Sequence, residues 1–324
     1  MPTILDLDPA TYQRHAIHTG ERIWAETNCY ADVIIELLNG LGHEPIACLP
    51  FTFTIDFDVD QWTFFKFRHA DIEALYALGI HEMAPWRSLA EHLHEQVVAG
   101  RPVLVELDSF YLPDTAGTSY RSAHVKSTVA VNAIDLEART LGYFHNQSYH
   151  ALSGADFVDV LQFEGLAHER MLPPYIEFVK PVPRASALVG PALVEGSLTL
   201  LRHHLQRVPT ANPFHAFHSS FQRDAAWLLA SAMDVFHAYS FATLRQYGAC
   251  FELSSTYLHW LDQQGVDGVL APAETFADIS RNTKTLQFQL ARAMARRRPL
   301  DLAALDGMAR SWDEGMEALN RQFL

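Results

Sequence analysis

Residues 125–144 read VKSTVAVNAIDLEARTLGYF, two runs rich in β-branched and aromatic residues joined across DLEA. Composition and alternation predict two strands, 125–134 and 139–144, paired as an antiparallel hairpin. Upstream, PVLVEL at 102–107 has a buried-strand pattern and follows RSLAEHLHEQVVAG at 87–100, whose periodicity is helical. YIEFVK at 175–180 is a fourth candidate strand. Helices interspersed with an antiparallel sheet make this half of the chain α+β.

Further upstream, ETNCYADVIIELLNG at 26–40 predicts a helix. Val33, Ile34, Leu37, Leu38 and Leu41 recur on one helical face, Asp32, Glu36 and Asn39 fall elsewhere, and Gly40 and Gly42 end the element. Thr27 or Asn28 can cap its first turn, which puts Cys29 at the first helical position, where the helix dipole favours an anion. Cys29 is therefore either a nucleophile or one more small side chain on the packed stripe it shares with Val33 and Leu37.

Beyond residue 180 the pattern changes. Pro173, Pro174, Pro181, Pro183 and Pro191 punctuate 171–196, and the expected boundary lies there, between residues 185 and 186. Asn212 and Pro213 make a cap and a first-turn proline, opening a long helical stretch from FQRDAAWLL through FATLRQYG, with further helices to the C-terminus. On that stretch His237, Phe241, Arg245 and Glu252 fall at steps of four, four and seven, one face of a continuous helix. Such a face either aims Arg245 at a substrate carboxylate or phosphate, or buries an Arg245–Glu252 pair with His237 hydrogen-bonded beside it. Arg292, Arg296, Arg297 and Arg298 form a basic tail that serves as ordinary helix capping or as a docking patch for an acidic carrier protein.

Composition narrows the function. With 324 residues, 49% of them hydrophobic, the chain can bury a substantial core. A net charge of −14 argues against non-specific nucleic-acid binding. The start lacks signal-peptide regions and no apolar run reaches membrane-spanning length, so neither a nucleic acid nor a membrane is an expected partner. Three cysteines, Cys29, Cys48 and Cys250, form no even framework and fit a reducing cytoplasm. Seventeen histidines invite a metal site, but pairs such as His92/His94, His203/His204 and His215/His218 lack a third ligand at metal spacing, so no metal is expected.

A thiol nucleophile needs a base and a group that orients the base. His124 precedes the strand VKSTVAVNAI and Asn146 follows the strand RTLGYF, so hairpin pairing brings both to one sheet end. Cysteine on a helix, histidine at a strand start and asparagine after the next strand is the chain order of papain-like thiol catalysis. His145 would point to the opposite face of a continuing strand, and Asn146 also suits a plain turn in FHNQS. The Cys29 amide, with the Asn28 side chain as second donor, would form the oxyanion site.

Three blocks, NCYADVIIELLNGLGHEP, GRPVLVELDSFYLPDTAGTSYRSAHVK and LGYFHNQSYHALSGADF, resemble a bacterial family defined only as domain of unknown function 1839. The resemblance extends into the helical half at FHAYSFATLRQYGACFELSSTYLHWL. More distantly, the first half is similar to the N-terminal domain of butirosin-type acyltransferases and to bacteriocin-peptidase-like papain folds. A D.yyLP block precedes the histidine strand in that group, matched here by Asp108, Tyr111, Leu112 and Pro113.

The resemblance implies a papain-like core with an antiparallel sheet over 1–185 and an all-helical domain over 186–324 packed over the cleft. It implies Cys29, His124 and Asn146 as the catalytic set. Asn28, Asp108, Tyr111, Tyr120, His145, His237, Arg245 and Glu252 would serve the oxyanion or substrate. Related acyltransferases more often carry aspartate where Asn146 stands, a departure that keeps orientation but weakens stabilisation of an imidazolium. The resemblance also implies a genomic neighbourhood that often holds a small carrier protein and a stand-alone ligase, similar to seryl-tRNA synthetase, that loads amino acids onto it. The expected activity is therefore aminoacyl or acyl transfer from a carrier-protein thioester. Phosphopantetheine would arrive on the carrier, with no cofactor resident. A cysteine hydrolase and a non-catalytic carrier-binding protein are the alternatives.

Overall fold

A computed structural model describes every residue except Glu21, Glu26, Thr27 and 164–172. In chain order the first helices are α1 (Ala16–Thr19), α2 (Cys29–Gly40), α3 (His69–Tyr76), α4 (Leu89–Val98) and α5 (Ala155–Val160). There follow α6 (Pro191–Leu205), α7 (Pro213–Ala230), α8 (Met233–Ala242), α9 (Leu244–Gln263), α10 (Leu270–Arg296) and α11 (Ala303–Phe323). The strands are β1 (Phe57–Asp58), β2 (Gln61–Trp62), β3 (Leu78–Glu82), β4 (Val103–Asp108), β5 (Lys126–Asp135), β6 (Thr140–His145), β7 (Ser148–Ser153) and β8 (Ile176–Pro181). The protein is α+β, with its sheet N-terminal and every described element from Pro191 onward helical.

The chain divides into two compact units, and neither is a continuous half. The first comprises Met1–Gly20, Asn28–Pro45 and His69–Ala187. The second comprises Leu188–Leu324 together with Glu21–Thr27 and Ile46–Arg68. A single cut near residue 185 therefore misses two N-terminal segments that pack with the helices.

In the first unit six strands run in the order β3-β8-β4-β5-β6-β7, all pairs antiparallel. The expected hairpin is its centre, and the register shifts between Val131 and Ala133. Because side chains alternate, the two sheet faces carry separate sets. One face presents Val103, Val105, Leu107, Val129, Val131, Leu141 and Tyr143 to Ala90, Leu93 and Val97 of α4 and to Phe157 and Val160 of α5. Each such fully buried Val or Leu contributes about 1.5–3 kcal/mol. The other face is covered by α2: Tyr30 reaches Glu177 of β8, and Gly40 abuts the Phe144 ring so closely that a Cβ there would lie 2.8 Å from it. Helix α4 begins with a capping box between Ser88 and Glu91.

In the second unit, the stretch expected as one long helix is three. α7 stops at Ser231, whose hydroxyl bonds back to Trp227 O, and α8 stops at Thr243 (φ −118°, ψ −83°), whose hydroxyl bonds back to Tyr239 O. Hydroxyls that compete for the i−4 carbonyl loosen helical continuity. The core is aromatic: Trp62 lies 4.6 Å from Tyr247 and Phe53 lies 5.3 Å from Phe276, ring centre to ring centre. No described helix is long and apolar enough to cross a membrane.

Candidate functional site

Cys29 is the first residue of α2 and is half-buried. Asn28 caps the helix, its side-chain oxygen accepting from the amides of Tyr30 and Ala31 at 3.1 Å each. The Asn28 carboxamide oxygen is thus committed to the helix. One prediction about α2 needs correction: the positions expected to be polar and outward, Asp32 and Glu36, are buried. They survive burial because His18 bridges them, with Nδ1 on Glu36 and Nε2 3.2 Å from Asp32. Tyr12 OH donates to Glu36 at 2.6 Å, and the His15 amide donates to it at 3.1 Å. Burial works against a proton on His18, but the hydrogen bonds to Asp32 and Glu36 outweigh it and raise the pKa. Burial and the adjoining Glu36 carboxylate push the Tyr12 phenol well above its ordinary range.

His124 lies in the loop just before β5, and its Nδ1 is 2.6 Å from Asp108 Oδ2. Asp108 ends β4 opposite Lys126, and its other oxygen accepts from the Phe110 amide at 3.0 Å, which fixes the carboxylate. Strand pairing puts Asp108 on the same sheet face as Leu104 and Glu177, the face that α2 covers. The His124 ring stacks on Phe110 at 4.4 Å and 12°, with Tyr111 edge-on at 6.3 Å. Its side chain is 67% exposed, and Nε2 has no hydrogen-bond partner among the described residues.

Asn146 does not stand behind His124. It occupies the tight β6–β7 turn with φ +49°, the left-handed region that asparagine tolerates better than most residues. The hairpin register sets His145 opposite Val129, well inside β5, so the end of β6 does not reach the loop that carries His124. Among the described residues no hydrogen bond joins Cys29, His124 and Asn146 to one another.

His145 lies on the opposite sheet face from α2, buried, its Nδ1 on Asp114 and its Nε2 2.6 Å from Ser127 Oγ. Serine, histidine and aspartate in that order have the connectivity of a hydrolase triad, but a wholly buried imidazole gives substrate no access, and the network instead ties the β4–β5 loop to the sheet. Tyr143 OH adds a 2.5 Å bond to Asp114. Despite its burial, Asp114 is held below the usual carboxylate range by His145, with His150 and Tyr143 assisting. Tyr120 OH binds Asp156 at 3.1 Å, and Arg121, which lies over Tyr111 and Phe110, pairs with Asp156 and Asp159. The loop bearing Asp108, Tyr111 and His124 is thereby braced at several points.

In the second unit the break at Thr243 separates exposed His237 and Phe241 on α8 from Arg245 and Glu252 on α9, so the four do not share one helix. Nor does Arg245 ion-pair with Glu252. Glu252 accepts from the amides of Ile23 (2.7 Å) and Trp24 (3.2 Å) and from Arg22 Nε (3.3 Å), while Arg245 donates to Ala25 O at 2.9 Å. The Trp24 indole lies against Gly248 and donates to Ser280 at 3.0 Å. In the basic tail, Arg297 ends α10 in a left-handed conformation and its guanidinium caps Leu229 O near the end of α7, while Arg292, Arg296 and Arg298 are exposed. No three His, Cys, Asp or Glu side chains converge for a metal ion among the described residues.

Sequence reasoning missed the partner of His124, the His18 network and the clamp on residues 22–25. Only the first had a local signal. Extending the β4 strand by one residue places Asp108 opposite Lys126, two positions from His124. The other two depend on contacts between distant segments. A family model described as DUF1839 N-terminal domain matches residues 13–181, and one described as DUF1839 C-terminal domain matches residues 190–321. No curated protein matches the chain.

Proposed function

The chain belongs to the DUF1839 family along both halves, and from the geometry around Cys29 and His124 we propose that it is a cysteine-dependent acyltransferase, with Cys29 as nucleophile and His124 as base. The observation that carries the reading is the 2.6 Å Asp108–His124 hydrogen bond on the sheet face that α2 covers. A carboxylate on Nδ1 fixes the imidazole tautomer that leaves Nε2 able to take and return a proton. Catalytic hydrogen bonds often tighten only when substrate binds, so Cys29 and His124 need not touch beforehand.

In the first step Cys29 Sγ attacks the carbonyl carbon of a donor thioester. The donor C–S bond breaks, the leaving thiol takes a proton from His124, and the acyl group stays on Cys29. An acceptor amine then attacks that carbonyl, passes its proton to His124 and releases the cysteine as thiolate. Exchanging one thioester for another changes bond energy little, so an aminoacyl or acyl group on a carrier protein's phosphopantetheine suits this chemistry. The Cys29 amide and Asn28 NH2 would receive the oxyanion. A papain-like core is part of this reading. We assign the reaction to a reducing cytoplasm, in keeping with three free cysteines.

Intact-mass spectrometry after incubation with a panel of aminoacyl-pantetheine and carrier-bound thioesters tests the proposal. The expected result is a mass gain equal to the acyl group, absent in Cys29→Ala and discharged faster by amines than by water. Discharge to water at the same rate as to amines would make the protein a hydrolase. No adduct across the panel would leave carrier binding without catalysis.

A further inference from the structure

His124 sits in a loop with most of its side chain exposed, so its ring is held by few neighbours. One restraint is the Nδ1 hydrogen bond to Asp108 at 2.6 Å. A bond made at a single atom lets the ring swing about that contact: it settles which nitrogen meets the carboxylate, not where Nε2 points. The second restraint is the Phe110 ring, which lies 4.4 Å from the imidazole, centre to centre, and within 12° of parallel. A flat face against a flat face fixes the plane. Phe110 also reaches the carboxylate, because its main-chain amide donates to Asp108 Oδ1 at 3.0 Å. The residue is itself well braced. Its carbonyl accepts from the Arg121 amide at 2.9 Å, Tyr111 meets its ring at 5.0 Å and 75°, and the Arg121 guanidinium lies 5.7 Å from its centre. Asp159, at 3.0 Å, and Asp156 anchor that guanidinium to α5. Restraint thus passes within the first unit from α5 through Arg121 to Phe110, and from Phe110 to His124.

We propose that Phe110 is a positioning residue that sets the plane of the His124 imidazole and with it the direction in which Nε2 takes and returns a proton. Asp108 selects the tautomer and Phe110 selects the orientation, two requirements that a general base must meet together. Phe110 acts through His124 and not on the reacting atoms. Leucine at this position keeps apolar bulk but offers no flat face, whereas tryptophan offers a larger one. The consequence for catalysis rests on His124 being the base of acyl transfer; the orientation of the ring does not.

Carbon relaxation of the His124 ring in the full chain, labelled at histidine and assigned through His124→Gln, tests this without reference to activity. Wild type and Phe110→Trp should give a ring order parameter near the rigid level of about 0.85, and folded Phe110→Leu should fall below about 0.6. Asp108 is intact in all three, so the ring nitrogens should report the same Nδ1–H tautomer throughout. Acyl-enzyme formation followed by intact mass should slow about tenfold in Phe110→Leu at saturating donor, with the apparent KM kept, and Phe110→Trp should restore most of the rate. An equally ordered ring in folded Phe110→Leu, a Phe110→Trp ring as mobile as the leucine variant's, or full-rate acylation by Phe110→Leu would each overturn the proposal. If wild type forms no adduct with any donor, the acyltransferase reading fails on its own, and the order of the His124 ring alone decides the role of Phe110.

Discussion

His124 is oriented by Asp108, which pairs across the strands with Lys126, and not by Asn146, which sits in the β6–β7 turn short of the loop that carries His124. A histidine placed just before one strand is held by the last residue of the preceding strand, so orientation comes from the β4–β5 pair. The relationship separates two carboxamide or carboxylate candidates that chain order alone leaves equivalent.

That difference is measurable. Asp108→Asn should slow acyl-enzyme formation by roughly a hundredfold, because a carboxamide no longer holds the base in one tautomer. Asn146→Ala should change the rate much less and act on stability through the β6–β7 turn. Stopped time points read by intact mass give both rates, and a larger loss in the Asn146 variant would reverse the assignment.

Thiol reactivity should rank the three cysteines. Cys48 and Cys250 are fully buried, and burial pushes the Cys250 thiol well up, whereas Cys29 is half-buried at a helix start. Iodoacetamide at neutral pH should therefore label Cys29 first in the native protein, with peptide mapping as the readout. Labelling of Cys48 at an equal or faster rate would show that Cys29 is not the accessible thiol.

The His18 bridge makes stability depend on pH in a defined direction. Its pKa in the folded chain is raised above the unfolded value, so its stabilising contribution is complete below about pH 6.5 and is lost as pH rises through the folded pKa. His18→Gln should remove this part of the slope and cost about 3–5 kcal/mol, since Asp32 and Glu36 would remain buried without their cation. Urea midpoints for both proteins across mildly acid to alkaline pH decide the matter; parallel slopes would rule out His18 as the titrating group.

Gly248→Ala offers a packing test. In a helix interior alanine ordinarily gains about 1 kcal/mol over glycine. Here a Cβ would meet the Trp24 indole at 2.5 Å, so the substitution should instead destabilise by about 1–3 kcal/mol. In a Trp24→Ala background the same change should revert to neutral or favourable, a coupling that urea unfolding of the four-member cycle would report.

Helix α2 and the strands β4, β5 and β6 were legible because their apolar residues keep periods near 3.6 and 2. β7 was not: SYHALS has little β-branched content and follows immediately on a turn. β3 was missed as well, LGIHE being short, with a glycine. Asp32 and Glu36 read as outward because their partner, His18, lies in a separate segment, and no local pattern announces a buried ion pair. The break at Thr243 was hidden because a single hydroxyl inside a helical composition carries no strong stop signal. At the candidate site, residue types were readable and pairings were not, since pairing depends on register.

The interleaved membership of the second unit also sets a timetable for synthesis. Trp24 finds its hydrogen-bond acceptor, Ser280, only 256 residues later. At roughly 5–20 residues per second, that acceptor leaves the ribosome on the order of ten to fifty seconds after the indole does. Phe53 and Trp62 likewise precede Phe276 and Tyr247. For that interval the nascent chain carries unburied aromatic side chains in the two segments that interrupt its first unit, so these segments reach their final packing only after α9 and α10 have been made.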